Sequence, residues 1–506
     1  MSWDKEVDEL RAREAMADAM GGPDKVARQH GRGKLDARAR IAALVDPGSF
    51  REIGKIAGRG SYDDAGHLTG LAASNFIFGR ANIDGRAVVA TADDFTVRGG
   101  AADAAIHRKF VQAEMMAHEL GLPIIRMVDG TGGGGSVKSL EDMGYTYVPA
   151  VPGWDAVIRN LDTVPVVALA LGPTAGLGAA RVVASHYSIM VRGLSQLFAA
   201  GPAVAAAIGD TLDREELGGS DVHTRNGVVD DEVGSEAEAF AAARRFLSYL
   251  PCATDRLAAR TACDDPADRR EDGLLAIVPR DAKQVYAMRR ILDAVVDRGS
   301  LFEMGRRWGQ AAITAFARLD GWPVAVVASD PAFLGGSWDA KTSEKVERFV
   351  RLADQFRLPI VHLVDNPGFM IGGEAERTGT IRYGVGAMNA IYRARVPLCA
   401  VIVRRAYGIA GSAMSHAEKF QYRFAWPSGD WGSLPIDGGV EVAYKSELEA
   451  SDDSAATLAA IKARLGRVKS PFRTAERFGI EDIIDPRDTR PRLCEFAALA
   501  WAKLGV

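Results

Sequence analysis

The residues of this 506-residue sequence whose spacing suits chemistry are glycines rather than acids and bases. Gly176 lies in the run Gly172-Pro-Thr-Ala-Gly-Leu-Gly178, and Gly408 lies in Ala406-Tyr-Gly-Ile-Ala-Gly-Ser412. Each run follows a short apolar stretch of the kind a buried parallel strand shows, Val164 to Leu171 and Leu398 to Val403. In layered α/β folds ligands bind past the carboxyl ends of strands, where amides of the following turn point outward. Glycine lets a backbone approach a ligand closely. Two amides aimed at one point form an oxyanion hole, worth about 3 kcal/mol of transition-state stabilisation per donor. Spacing alone leaves two readings of each turn open: donors for a developing oxyanion, or a tight strand-to-helix connection that needs glycine only for its dihedral angles.

Side-chain catalysts are scarce. Ser195 in Gly193-Leu-Ser-Gln-Leu197 lacks the last glycine of a nucleophile elbow. Ser412, Ser415 and His416 are neighbours in the chain, but a serine and histidine so close in sequence more often face solvent than act together. Glu374 and Glu376 follow Gly372-Gly373 and suit an acid/base pair, yet the first half has no equivalent. The tetraglycine Gly132, Gly133, Gly134 and Gly135 follows the apolar run Pro123 to Val128. It is neither a P-loop nor a dinucleotide fingerprint, and it reads equally as a loop passing under an acyl or phosphate group or as a surface loop. No histidine spacing suits a metal, and Cys252, Cys263, Cys399 and Cys494 contain no C-x-x-C pair, so a reduced, cytoplasmic, metal-free protein is expected.

The elements that must hold these glycines occur twice. Asp84-Gly85 falls on Asp320-Gly321, Gly99-Gly100 on Gly335-Gly336, Lys109 on Lys345 and Val128-Asp129 on Val364-Asp365, all at an offset of 236 residues. Val164-Pro165 falls on Val396-Pro397 and Gly176 on Gly408 at an offset of 232. This ordered echo predicts a duplicated domain, residues 1–255 and 256–506, each with one site of the same design. Within the first copy the pattern predicts strands Ala72 to Ile83 and Arg86 to Ala92 in a hairpin, a helix over Ala101 to Leu120 and a buried strand after it. The second copy predicts a hairpin at Asp320-Gly321, a helix over Thr342 to Phe356 and a strand over Ile360 to Val364. Asp36 to Val45 predicts a short helix with a basic, solvated face, and Pro251 to Gly273 a polar linker between the copies.

Bulk properties narrow the partners. The net charge of −4 gives no electrostatic reason to expect nucleic acid or an anionic membrane. No apolar run is long enough to span a bilayer, and Met1 to Met20 mixes charges in a way no signal peptide does.

With these residues in view the sequence resembles the carboxyltransferase (β) subunits of biotin-dependent acyl-CoA carboxylases, of the propionyl-CoA and methylcrotonyl-CoA carboxylase type. The resemblance runs over nearly the whole chain. It is carried by Gly31-Arg-Gly-Lys-Leu, Asp46-Pro-Gly-Ser-Phe, Asp94-Phe-Thr-Val, Gly172-Pro-x-Ala-Gly176, Glu216-Leu-Gly-Gly219, Leu247-Ser-Tyr-Leu-Pro251, Val364-Asp-x-Pro-Gly-Phe369, Arg405-Ala-Tyr-Gly408 and Ala425-Trp-Pro427. It implies two tandem crotonase-like ββα spiral domains, the first on the acyl-CoA side and the second on the carboxybiotin side. The implied active site is shared between protomers of a hexamer, or at least a dimer.

The resemblance also implies an activity: transfer of a carboxyl group from carboxybiotin to the α-carbon of a short acyl-CoA, through two backbone oxyanion holes and no protein base. By position, the amides of Gly176 and Leu177 serve the thioester, those of Ile409 and Ala410 serve biotin, and Ala175, Gly408, Ser412 and Gly132 to Gly135 line the substrates. Biotin is expected on a separate carrier or biotin carboxylase subunit, because no Ala-Met-Lys-Met motif is present. The alternatives on the same fold are a biotin-independent acyl-CoA decarboxylase or transcarboxylase, and a non-catalytic assembly subunit. Three departures from the family pattern stand out: Leu177 and Ile409 where the family has glycine, Ser412 at a position tied to acyl selection, and a polyglycine loop without the family's arginine.

Overall fold

In the computed structural model each half of the chain wraps its helices around one sheet that starts with an antiparallel hairpin and continues with parallel strands. The structure describes residues 2–101, 104–130, 138–209, 211–281 and 283–505. The chain divides into two units, Met1–Arg256 and Leu257–Val506. No helix among the described residues is long and apolar enough to cross a membrane.

In unit 1 the sheet runs Arg51–Glu52, Phe76–Ile83, Arg86–Asp93, Ile124–Val128, Val166–Ala170, Tyr187–Val191 and Asp231–Val233 in spatial order. The first three strands pair antiparallel and the rest parallel. The hairpin turn places Asp84 (φ 49°) and Gly85 (φ 76°) in the left-handed region that a two-residue primed turn demands. The Asp46 carboxylate holds it by accepting both turn N–H groups at 2.9 Å. Ile124–Val128 and Val166–Ala170 are buried throughout, as strands covered on both faces must be.

Unit 2 repeats the plan: Phe302–Met304, Ala312–Leu319, Trp322–Ser329, Ile360–Asn366, Leu398–Tyr407, Tyr422–Ala425 and Asp482–Ile483, with Asp430–Gly432 paired to Leu398–Tyr407. The repeat extends beyond what the sequence echo exposed. At an offset of 251 residues, Asp297 accepts the turn N–H groups of Asp320 and Gly321 at 2.9 and 2.7 Å as Asp46 does for its own hairpin. At the same offset, the Arg38–Glu52 ion pair at 2.8 Å recurs as Arg289–Glu303 at 2.6 Å.

Three expectations are corrected. The helix expected from Ala101 begins at His107, because Arg98, Gly99 and Gly100 all take positive φ and form a separate tight turn. The charged stretch expected to be a linker is built into unit 2. Arg490, 1% exposed, donates to the carbonyls of Asp265 and Pro266 at 2.9 Å and pairs with Asp297 at 2.9 Å.

The third correction concerns Ala37–Leu44, whose basic face is not solvated. Arg40 is fully buried, and its guanidinium binds Asp129 at 2.7 Å, Glu236 at 2.6 Å and the carbonyl of Leu171 at 2.9 Å. Lys34 adds a second cation 2.6 Å from Asp129; burial lowers its pKa, with Asp129 opposing the shift. The cluster presses on Gly172, where an added Cβ would meet the Asp129 carboxylate and the Lys34 ammonium. Unit 2 uses the echoed aspartate in the same way: Asp365, fully buried, binds Arg404 at 3.0 Å, Arg405 at 2.6 Å and the Tyr286 hydroxyl at 2.9 Å.

Removing one member of such a cluster leaves an uncompensated charge in a dry site. Arg40→Ala is expected to lower the unfolding free energy by about 3–5 kcal/mol, read from the first transition in a urea melt. A loss below about 1 kcal/mol would mean that the cluster does not hold unit 1 together.

Candidate functional site

Both glycine turns use a positive φ. Gly176 has φ 59° and ψ −123°, a combination closed to residues with a Cβ, and Gly408 has φ 60°. Nothing lies within 4 Å of a Cβ built at Gly176, so the demand there is dihedral rather than spatial. Ala175 ends a short strand, Pro173–Ala175, that pairs in parallel with Gln196–Phe198.

That pairing reassigns the donors of the first turn. The Gly176 N–H is engaged, donating to the Phe198 carbonyl at 3.1 Å. The helix Leu177–Val183 then begins, and its first intrahelical acceptor, the Gly176 carbonyl, serves Ala180 at 3.0 Å. The N–H groups of Leu177, Gly178 and Ala179 precede that bond and have no intrahelical acceptor. Of the two amides expected, that of Gly176 is thus committed to the strand pair. In unit 2 the helix Gly408–Ser412 puts Ile409 and Ala410 in its first turn. Ile409 is half exposed, Ala410 is buried, and the Ser412 hydroxyl donates to the Ile409 carbonyl at 2.8 Å.

Each turn faces a cavity within its own unit. In unit 1, Gly176 and Leu177 line a pocket of about 580 Å³ together with Asn75, Phe76, Asp93 and Phe110. Arg181, one helical turn past Leu177, also lines it and binds both Asp93 carboxylate oxygens at 3.2 Å. Burial pushes the Asp93 carboxyl above the usual carboxylate range, with Arg181 pulling the other way. Gly100 borders this pocket, and the adjacent Gly99 borders a second groove of about 390 Å³. Four cations converge on that groove: Lys25 and Arg28 from the helix Pro23–His30, Arg32 just past it, and Arg98 from the positive-φ turn. In unit 2, Gly408 and Ser412 line a smaller cleft of about 180 Å³ with Ile402, Ala406 and Trp431.

The remaining candidates among the described residues stay outside these cavities. Ser195 is buried and closes a turn on itself, donating to the Val191 carbonyl at 2.9 Å and accepting the Val191 N–H at 2.8 Å. Ser415 donates to Gln421 at 2.7 Å while His416 stacks on Tyr392, so the two make no catalytic unit. Glu374 pairs with Arg377 at 3.0 Å on an exposed short helix. Gly132 to Gly135 lie outside the described residues. Among the described residues no group of three or more His, Cys, Asp or Glu is placed to hold a metal ion. The basic groove and the Asp93–Arg181 pair were not singled out in the sequence. Only the four-residue spacing of Arg28 and Arg32 hinted at a shared face.

Twin turns of this kind on a duplicated α/β frame define an acyl-transfer class of site, and comparison with known proteins names it. The family model described as "Carboxyl transferase domain" matches residues 28–505, and the chain belongs to that family. It is 34% identical over 97% of its length to the propionyl-CoA carboxylase carboxyltransferase subunit of Haloferax mediterranei, covering 95% of that protein. It is 30% identical to the methylmalonyl-CoA decarboxylase subunit alpha of Veillonella parvula, covering 99% of this chain and 96% of that one. Among solved structures it resembles the transcarboxylase 12S hexamer, crystallised with methylmalonyl-coenzyme A, at a TM-score of 0.87 and 29% identity, covering 99% of this chain and 96% of that one. The two units are crotonase-like, as the resemblance implied.

Because the Gly176 dihedrals exclude a side chain, Gly176→Ala is expected to cost about 1–3 kcal/mol or to flip the turn. A melting temperature equal to that of the unmodified protein, together with an unchanged turn in a crystal structure, would show that the conformation is not glycine-dependent.

Proposed function

We propose that the chain is the carboxyltransferase component of a biotin-dependent carboxylase. In this reading it moves a carboxyl group from carboxybiotin to the α-carbon of a short acyl-CoA. The observation that carries the reading is a pair of cavities in unit 1 that border adjacent residues: a four-cation groove at Gly99 and a pocket at Gly100 that Leu177 also lines. A CoA thioester has the same order of parts, with anionic phosphates, a neutral arm and a reactive carbonyl. A groove this basic is a local feature, since the chain as a whole carries a net charge of −4.

Each part has a task. Lys25, Arg28, Arg32 and Arg98 hold the phosphates by charge. The walls formed by Phe76 and Phe110 keep water from the acyl end. The N–H groups of Leu177 and Gly178 stabilise the negative charge that gathers on the thioester oxygen when the α-carbon loses its proton, at about 3 kcal/mol per donor. These bonds strengthen as the charge develops, so they favour the transition state over the bound substrate.

The cleft of unit 2 fits the second reactant. Its apolar walls, Ile402, Ala406 and Trp431, suit a flat ring system, with the Ser412 hydroxyl as a polar edge. Gly408 and Ser412 would hold the biotin there, with the amides of Ile409 and Ala410 serving its ureido oxygen. The bound cofactor, arriving on a separate carrier subunit, supplies the activated carboxyl group. A homo-oligomer of the kind named for transcarboxylase 12S is part of the same proposal.

The test is carboxylation of propionyl-CoA by the purified chain supplied with a carboxylated biotin carrier. Leu177→Pro deletes one donor at the first helical position, where proline is tolerated, and is expected to lower kcat on the order of 100-fold. Wild-type turnover by the folded variant would refute the assignment. Arg28→Glu combined with Arg32→Glu is expected to raise KM for the thioester about tenfold or more with a smaller change in kcat, an effect that shrinks at high salt. An unchanged KM would remove the groove from the substrate path. Release of CO2 from methylmalonyl-CoA without any biotin would overturn carboxybiotin as the donor.

A further inference from the structure

The pair formed by Asp93 and Arg181 does more than its place in the fold requires. Asp93 closes the strand Arg86–Asp93, and its Oδ2 accepts the N–H of Asp129 at 3.3 Å, tying two neighbouring strand ends together. Unit 2 makes the same tie with a hydroxyl. At the 236-residue offset Asp93 falls on Ser329, whose Oγ accepts the N–H of Asp365 at 3.0 Å. At the 232-residue offset Arg181 falls on Ala413, which is fully buried. Serine and alanine therefore suffice for the architecture. Unit 1 instead buries a carboxylate and a guanidinium, 7% and 6% exposed. Stability does not explain the substitution, since exchanging a buried ion pair for apolar groups is often neutral or favourable.

Two features direct the pair toward a ligand. Both residues line the pocket that Leu177 closes, and Arg181 follows Leu177 by four residues on one helix, so their side chains share a face. In addition, Nε and Nη2 of Arg181 are buried without a hydrogen-bond partner among the described residues. The guanidinium is packed against the rings of Phe76 and Phe110, 5.3 and 5.1 Å from their centres.

Resting on the acyl-CoA reading, we propose that Asp93 and Arg181 select an acyl chain bearing an uncharged hydroxyl, the 3-hydroxyacyl class, over an unsubstituted alkyl chain. Taken together the pair is neutral. A second carboxylate would bring net negative charge beside Asp93 in a water-poor pocket. A hydroxyl, by contrast, donates to Asp93 and accepts from Arg181. An alkyl chain leaves Nε and Nη2 of Arg181 without a partner, and a site built to hydrogen-bond a hydroxyl discriminates strongly against the analogue that lacks it.

Equilibrium binding of 3-hydroxybutyryl-CoA and butyryl-CoA, measured by calorimetry, tests the assignment. The comparison is between the unmodified chain and Asp93→Ser/Arg181→Ala, which installs the residues of unit 2. The unmodified chain is expected to favour the hydroxy compound about tenfold or more, and the double variant to lose that preference. Equal affinities in the unmodified chain, or the same ratio in both proteins, overturn the selection and leave the acyl-CoA reading standing. If the double variant does not fold, the ratio in the unmodified chain decides. If the unmodified chain binds neither thioester nor CoA itself, both proposals fall.

Discussion

A buried aspartate at the end of a central strand is the constraint around which each unit is arranged. Asp129 and Asp365 have no exposed surface, and a carboxylate there is tolerable only with several donors fixed around it. In unit 1 these donors are Arg40, Lys34 and Gln29; in unit 2 they are Arg404, Arg405 and Tyr286. Each aspartate therefore fixes segments remote in sequence against the rim of the sheet where the glycine turns emerge. The Leu171 carbonyl, which Arg40 also holds, is the last peptide before Gly172-Pro173. The positioning of the first turn thus begins with a charge that never meets solvent.

In the proposed reaction the chain acts above that rim through its main chain rather than through side-chain relays. Leu177 and Ile409 follow the two turn glycines, and each keeps its N–H group whatever its side chain. A backbone donor is insensitive to side-chain identity so long as the preceding dihedral is kept, and Gly176 and Gly408 keep it at φ 59° and 60°. The side chains around such a donor pair are then free to vary with the acyl group. That freedom is consistent with Asp93 and Arg181 in one unit and Ser329 and Ala413 in the other.

Local signals in the sequence were readable, and convergent ones were not. Asp84-Gly85 and Asp320-Gly321 announced their hairpins because only a primed turn uses that dipeptide so readily, and the buried strands announced themselves as unbroken apolar runs. The start of the helix at His107 was missed because composition does not reveal that Arg98 joins Gly99 and Gly100 at positive φ. Arg40 was taken for a surface residue because its partners, Asp129 and Glu236, lie 89 and 196 residues away. The basic groove was missed for the same reason, since Arg98 meets Arg28 and Arg32 only after the sheet has formed. The Gly176 amide was assigned as a free donor because nothing in the sequence announces the short strand pair that occupies it.

Glu236 opens Glu236–Tyr249, the last described helix of unit 1, yet it completes the shell of Arg40 near the start of the chain. A ribosome therefore delivers Arg40 and Asp129 long before their final partner. Until the 107 residues that separate Glu236 from Asp129 have been made, the half-built unit can seal this charge only incompletely. Closure of unit 1 thus waits on one of its last segments, and a chain ending before Glu236 holds a buried guanidinium short of one of its two carboxylates.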